Sequence, residues 1–149
     1  MSVGPFPVNE TIERLKAQVP TLKLAGNSAD LRTALKTAPN AVPAAYVLAE
    51  EKGDKPNFGT GGVTIQSVIV AVQVVLFVRN FAQELVGSAA RREMDELIAA
   101  VRIALVGWKP TDKFMQLSFQ AARDESYDAG LLVCQEIYRS QYRIQTTAP

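Results

Sequence analysis

At 149 residues the chain has the length of one domain, and its 48% hydrophobic and 21% charged residues exclude a wholly disordered chain. Lys and Arg number 16 against 15 Asp and Glu, leaving +1, so no net field draws the molecule to nucleic acid or to an anionic membrane. Histidine is absent and Cys134 is the lone cysteine, which removes the commonest general base, the commonest transition-metal ligand and any internal disulfide, and fits a reducing compartment.

The opening MSVGPFPVNETIERL has no basic start, apolar core or small-residue cleavage site, so no signal peptide is expected. Pro5 and Pro7 punctuate an irregular lead-in. Asn9 is placed to cap a first helix carrying Ile12, Leu15 and Val19, which Pro20 ends. A short strand is expected at Leu22–Ala25, closed by Gly26. Ser28 is placed to cap a second helix with Leu31, Ala34 and Leu35, stopped by Pro39. Both helices are short and need tertiary packing to form.

Ala44–Ala49 is a compact apolar run and reads as a strand. Lys52–Gly62 (KGDKPNFGTGG) carries four glycines, a proline and no aliphatic side chain, which predicts a flexible hairpin loop with one exposed aromatic, Phe58. Val63–Val78 follows, dense in valine and isoleucine and free of charge. Such side chains suit a pleated surface, and a strand from Val63 to about Arg79 is expected. Sixteen residues span roughly 53 Å, more than a compact domain of this size needs. Val63–Ser67 alternates apolar with polar, the pattern of an arm with one wet face. Val68–Val78 is apolar on both alternating faces apart from Gln73, the pattern of a strand covered on both sides. The stretch also holds Thr64, Gln66, Ser67 and Gln73 and falls short of ~20 predominantly apolar residues, so a buried strand in a soluble protein is expected, not a membrane span.

Ser88 opens the strongest helix, with Ala90, Met94, Leu97, Ile98, Val101 and Leu105 on one stripe, Gly107 as its C-cap and Pro110 beyond. Phe114–Tyr127 alternates loosely as a strand, Asp128-Ala129-Gly130 is a turn, and Leu131–Gln145 is a long final strand. In it Leu132, Cys134, Tyr138, Tyr142 and Ile144 share one face, with Arg139, Gln141 and Arg143 on or near the other. The predicted order is α-β-α-β-β-α-β-β: a single domain over residues 1–149, α/β in the α+β sense, with one mixed β-sheet, long hairpins and about three packing helices.

Sites for chemistry are sparse. Gly59-Thr60-Gly61-Gly62 lacks the lysine and following helix of a phosphate-binding loop and reads as a hairpin tip. Asp124 and Glu125 are adjacent in a strand and point to opposite faces, which suits a solvated edge or a subunit contact better than an acid/base pair. Cys134 reads as a small buried hydrophobe with no histidine to activate it. Trp108 reads as a cap against the core. Arg91 and Arg92 open a helix whose dipole disfavours cations, either as a solvated end or as partners for acids on a neighbouring subunit. Lys52, Asp54, Lys55, Asn57 and Phe58 join them as a candidate assembly interface, with Phe58 the anchor because aromatics are enriched in interface cores. Arg139 and Arg143 either face a channel or flank an exposed sheet. No catalytic, cofactor-binding or metal residues are assigned, and no enzyme is expected.

Several stretches carry a family resemblance: TIERLKAQVPTLKLAGNSADL; PAAYVLAEE running into the glycine-rich loop; a strand ending LFVRN; a helix ending LIAAVRIALVGWKP; and RDESYDAGLLVCQEIYRSQYRI. Together they span nearly the whole chain. The chain resembles bacteriophage tail terminators, in particular those of contractile-tailed and Mu-like phages. The resemblance implies an α/β subunit in a homohexameric ring that caps the tail tube, stops its polymerisation and meets the neck or connector protein at the head-tail junction. It implies DNA passing through the ring without sequence-specific binding, no membrane partner, and a place in the virion tail at the head-proximal end after assembly in the host cytoplasm. Alternatives are another neck or tail-completion protein of the virion, or a small ligand-binding or enzymatic domain.

Overall fold

The computed structural model describes residues 3–37, 39, 41–79, 88–127 and 130–148. Helix α1 (Val8–Gln18) leads into strand β1 (Leu24–Gly26), helix α2 (Ser28–Thr37) and strand β2 (Ala44–Gly53). A short strand β3 (Asn57–Phe58) and a 3-10 turn (Thr60–Gly62) precede β4 (Val63–Arg79). Helix α3 (Ser88–Leu105), β5 (Ser118–Tyr127) and β6 (Leu131–Thr147) follow. The sheet runs β1-β2-β4-β6-β5, with β3 beside β4. Among the described residues only β1 and β2 are parallel, so the sheet is mixed and the fold is α+β, as expected.

β4 is the spine. It pairs with β6 along its full length, from Val63 opposite Thr147 to Arg79 opposite Leu131. Its 17 residues span about 56 Å, whereas the 18 residues of α3 span about 27 Å. The β4–β6 ladder is therefore twice as long as the longest helix that covers it. Val68, Val70, Val72, Val74, Leu76 and Val78 are buried in the main core with Ile12 and Leu15 of α1 and Met94, Leu97, Val101 and Leu105 of α3. Each fully buried aliphatic side chain contributes roughly 1.5–3 kcal/mol. This one stripe is where α1 and α3 meet the sheet.

A smaller core lies on the opposite face, where Ala34 of α2 packs with Ala44, Tyr46, Val75, Phe77, Leu131 and Val133. Tyr46 and Phe77 meet edge to face at 5.4 Å. The ten residues of α2 reach only about 15 Å, so they cover one end of the sheet. Ile69, Ala71 and Gln73 remain half-buried. The expectation that Val68–Val78 is covered on both sides thus holds only at Val75 and Phe77, because the second layer is too short.

Local boundaries move for identifiable reasons. α1 starts at Val8 behind Pro7 with no side-chain cap, so Asn9 lies inside the helix, and the Thr11 hydroxyl donates to the Pro7 carbonyl at 3.2 Å. α2 is capped by Asn27, not Ser28: its side-chain oxygen accepts from the Ala29 and Asp30 amides at 3.0 and 3.2 Å, while Asp30 accepts from the Asn27 amide at 2.9 Å. The first strand is Leu24–Gly26, displaced from Leu22–Ala25, since only that segment pairs with Ala44–Tyr46. β5 starts at Ser118 instead of Phe114. The preceding segment folds back onto the end of α3, with the Gly107 amide donating to Leu117 O at 2.8 Å and the Leu117 amide to Trp108 O at 2.9 Å. Gly107 takes φ 84, the left-handed conformation a helix terminus of this kind needs. Asp128 and Ala129 of the expected turn lie outside the described residues.

Candidate functional site

The residues of the expected loop are built onto the end of the β4–β6 ladder. β2 continues to Gly53, and the Asp54 amide donates to Ser67 O at 2.8 Å. The Gln66 side-chain amide donates to Asp54 O at 2.6 Å, and the Asp54 carboxylate accepts from the Lys55 amide at 2.8 Å. Asn57 and Phe58 pair with Ile65 and Thr64, the Gly59 amide donates to Val63 O at 2.7 Å, and the Ala148 amide donates to Gly62 O at 2.8 Å. Gly61 and Gly62 turn the chain at φ 73 and 77, which few other residues adopt without strain. The tip is thus a small β structure carrying Phe58 at 76% exposure. An exposed aromatic on a hydrogen-bonded backbone presents apolar area at low ordering cost.

The candidate residues do not form one surface. Lys52, opposite Ile69, lies with Asp54, Lys55, Asn57 and Phe58 at the tip end of the sheet. Arg91 and Arg92 start α3 at the other end, where Arg91 reaches the neighbourhood of Cys134, itself opposite Leu76. From Val63 to Leu76 is roughly 43 Å along the strand. Arg92 is exposed, whereas Arg91 is engaged within the chain: it meets Asp95 at 2.6 Å and Asp124 at 2.9 Å. Those hydrogen bonds, Asp124 first, hold its guanidinium above the ordinary arginine range. Arg139 and Arg143 are exposed on the face away from α1 and α3, opposite Ala71 and Ser67.

Two polar clusters escaped the sequence reading. The buried thiol of Cys134 donates to Asp124 at 2.9 Å; burial, then the Asp124 hydrogen bond, push it up to about 12. The same thiol contact, then Arg91, hold the Asp124 carboxyl below its usual range. Glu136 is fully buried and receives a fork from Arg102 at 2.6 and 3.0 Å, with the Tyr138 hydroxyl donating at 3.2 Å. Arg102 also lies 4.3 Å over the Phe119 ring. The alternation Leu132, Cys134, Glu136, Tyr138 in β6 was the available signal for a charge on the buried face. Trp108 packs partly buried against the core, as expected, under Arg14 at 5.7 Å.

These clusters tie α3 to β5 and β6, with Arg91 and Arg102 consumed by internal partners. Cys134 is a protonated thiol at neutral pH, so it offers no nucleophile. Among the described residues no group of three or more His, Cys, Asp and Glu lies close enough to hold a metal ion. Among the described residues no helix is long and apolar enough to cross a membrane. A cavity of about 290 Å³ lies beside β6, bordered by Lys109, Asp112, Lys113, Met115 and Arg143.

Comparison with protein families matches the model described as Phage tail terminator protein over residues 1–148. Comparison with curated proteins finds no match. Among 33 matching chains of solved structures, one from the virion of a native gene transfer agent particle is 14% identical, with a TM-score of 0.54 over 90% of this chain and 92% of that chain. At that identity the likeness concerns the fold.

Proposed function

The chain belongs to the phage tail terminator protein family, whose members are structural proteins of the virion tail, and from that premise we propose that it closes the tail tube. Copies assemble as a hexameric ring on the head-proximal end of the tube, stop further addition of tube protein and present the opposite ring face to the neck or connector. DNA passes through the hole without sequence-specific contact, and the chain performs no catalysis. Assembly takes place in the host cytoplasm and the product resides in the virion.

The observation that carries this reading is the projecting end of the sheet. β3, the start of β4 and the end of β6 form a three-stranded arm whose tip bears the exposed Phe58. A lone domain gains little core from such an arm, whereas a partner surface gains an anchor and unpaired strand edges. Lys52, Asp54, Lys55 and Asn57 rim the anchor with polar groups, the composition of an interface border. The arm engages the tube end or an adjacent subunit, and Arg139 and Arg143 on the uncovered sheet face line the channel.

Deletion of Asp54–Gly61 tests the reading. The core lies on the other side of Val68, so the shortened protein retains its fold by circular dichroism. It fails to limit tube polymerisation, and tails of abnormal length accumulate. Normal-length tails from the deletion variant would overturn the assignment of the tip.

A further inference from the structure

β5 pairs with β6 only as far as Arg139. Beyond that point the segment between α3 and β5 folds against β6 and borders a pocket of about 290 Å³. Arg143 reaches the pocket from β6 and Ser67 from β4, while Lys109, Asp112 and Lys113 come from the segment after α3. Three cations against one acid give this small volume a charge of +2. Lys109, Arg143 and Asp112 are exposed and join no ion pair among the described residues. Two further acids lie near these strands without lining the pocket. Asp54 is level with Ser67 on the far side of β4, about 10 Å from β6, and its carboxylate accepts from the Lys55 amide at 2.8 Å. Glu51, on the core face, is held by the Phe6 amide at 3.4 Å and by Tyr142.

The backbone around the pocket is tied down. The Met115 amide donates to Gln141 O at 2.9 Å, and the Ser140 hydroxyl donates to Met115 O at 2.8 Å. The Phe114 ring packs 4.9 Å from Tyr142 and 5.5 Å from Phe6. Trp108 O accepts from the Leu117 amide at 2.9 Å. Lys113 and Lys109 therefore each adjoin a pinned residue, Phe114 and Trp108, and little ordering of the backbone is needed before they meet a ligand. Met115, 59% exposed, adds an apolar wall.

We propose that this pocket takes the phosphate group of a phosphate ester. Arg143 offers a planar fork for two oxygens, Lys109 and Lys113 offer point charges for the others, and Ser67 and Gln141 add neutral donors. A charge of +2 complements a phosphate monoester, at about −1.5 to −2, better than a single carboxylate. The volume lies at the small end for ligand sites, enough for a phosphate and its attached sugar against Met115. The same face continues the pattern for a diester chain. Arg139 lies about 13 Å along β6 from Arg143, and the β6 positions on that face from Gln135 to Thr147 carry no acid. A nucleic-acid backbone and a free phosphate ester share this chemistry. Every group comes from one copy, so the site is complete without the ring.

Binding measurements test the pocket and separate the two sources. Fluorophore-labelled duplex DNA of mixed sequence is titrated by anisotropy at about 50 mM salt, and sodium phosphate and adenosine monophosphate by calorimetry. Lys109→Gln and Arg143→Gln each weaken binding about tenfold or more. Asp112→Asn strengthens it about threefold. Arg92→Gln makes the same charge change at the far end of α3 and leaves binding unchanged. Melting is the folding control, since all four side chains are exposed. DNA binding that phosphate does not displace identifies the polymer backbone as ligand, and binding of the small anions alone identifies a free ester; either supports the site when the two cation variants lose it. Losses no larger than in Arg92→Gln, an Asp112→Asn variant no tighter than the wild type, or a wild-type protein that binds none of these probes overturn it. So does a polyglutamate peptide bound in their place, which makes the pocket a seat for an acidic protein. Tail length, read in parallel by electron microscopy, bears on the terminator reading alone.

Discussion

Removing Arg102 exposes the most demanding polar arrangement in the fold. In the Arg102→Ala variant the fully buried Glu136 keeps only the Tyr138 hydroxyl at 3.2 Å, losing the fork at 2.6 and 3.0 Å. Breaking a fully buried pair costs about 3–5 kcal/mol, and a solvated pair is worth about 0–1. The Arg102 side chain is 42% exposed and its partner 0%, so the pair falls between these limits, at about 2–3 kcal/mol. Loss of the guanidinium over Phe119 adds about 0.5–1 kcal/mol, giving about 3 in all. A chain of this length unfolds with an entropy of about 0.3 kcal/mol/K, so melting falls by about 10 °C.

The assay is urea and thermal unfolding at pH 7, followed by circular dichroism at a concentration where the protein is monomeric. Because Arg102 is held above its ordinary value by the Glu136 hydrogen bonds, its contribution is complete below the unfolded pKa near 12.5 and is lost only at higher pH. Arg102 is therefore charged in the wild type throughout pH 6 to 9. The companion Arg102→Leu/Glu136→Leu removes both charges, and apolar replacement of such pairs is commonly neutral or better, so it regains most of the stability. A single variant within about 0.5 kcal/mol of the wild type, or a double variant no more stable than the single, would refute the reasoning.

Asp124 is held below its usual range by the Cys134 thiol and then by Arg91, so its contribution is present above the unfolded pKa near 4 and is lost as pH falls through its lower folded value. Asp124→Asn is expected to flatten the decline of melting temperature below pH 4; equal slopes for the two proteins would show that the contact is not felt. Phe58→Ser, at a side chain 76% exposed, is expected to shift melting by no more than about 2 °C while abolishing length control of tails. A normal tail-length distribution by electron microscopy would remove Phe58 as the anchor.

The order of elements was legible because each rests on local physics. Valine and isoleucine at alternating positions make β4 a strand wherever it is placed, and its bounds come out at Val63–Arg79 as read. The apolar stripe from Ala90 to Leu105 makes α3 a helix with a buried face. Phe58 was legible as exposed because no aliphatic residue surrounds it in Lys52–Gly62. The family resemblance, read from motifs along the chain, agrees with the match over residues 1–148.

The two hairpins were legible, since their strands are neighbours in the chain, but pairing between strands that are not consecutive was not, because such a partner is set by contacts far apart in sequence. β4 and β6 match residue for residue over their whole length, and only that register reveals an arm. The tip reads as a hairpin loop from composition, and its own short pairing, Asn57 and Phe58 with Ile65 and Thr64 once Gly61 and Gly62 reverse the chain, is visible only in the structure. Arg91 could be named but not its partner: Asp124, on the edge strand, becomes a neighbour only when β5 docks against β6. The charge on Glu136 was visible in the sequence, but its burial was decided by α3 crossing the sheet at Arg102. The sequence by itself determined the elements and their faces, since propensity and periodicity act within a few residues, and its motifs carried the family resemblance. The tertiary structure alone decided which edges stay open and which charges stay unpaired, since both are what remains after every long-range partner has been assigned.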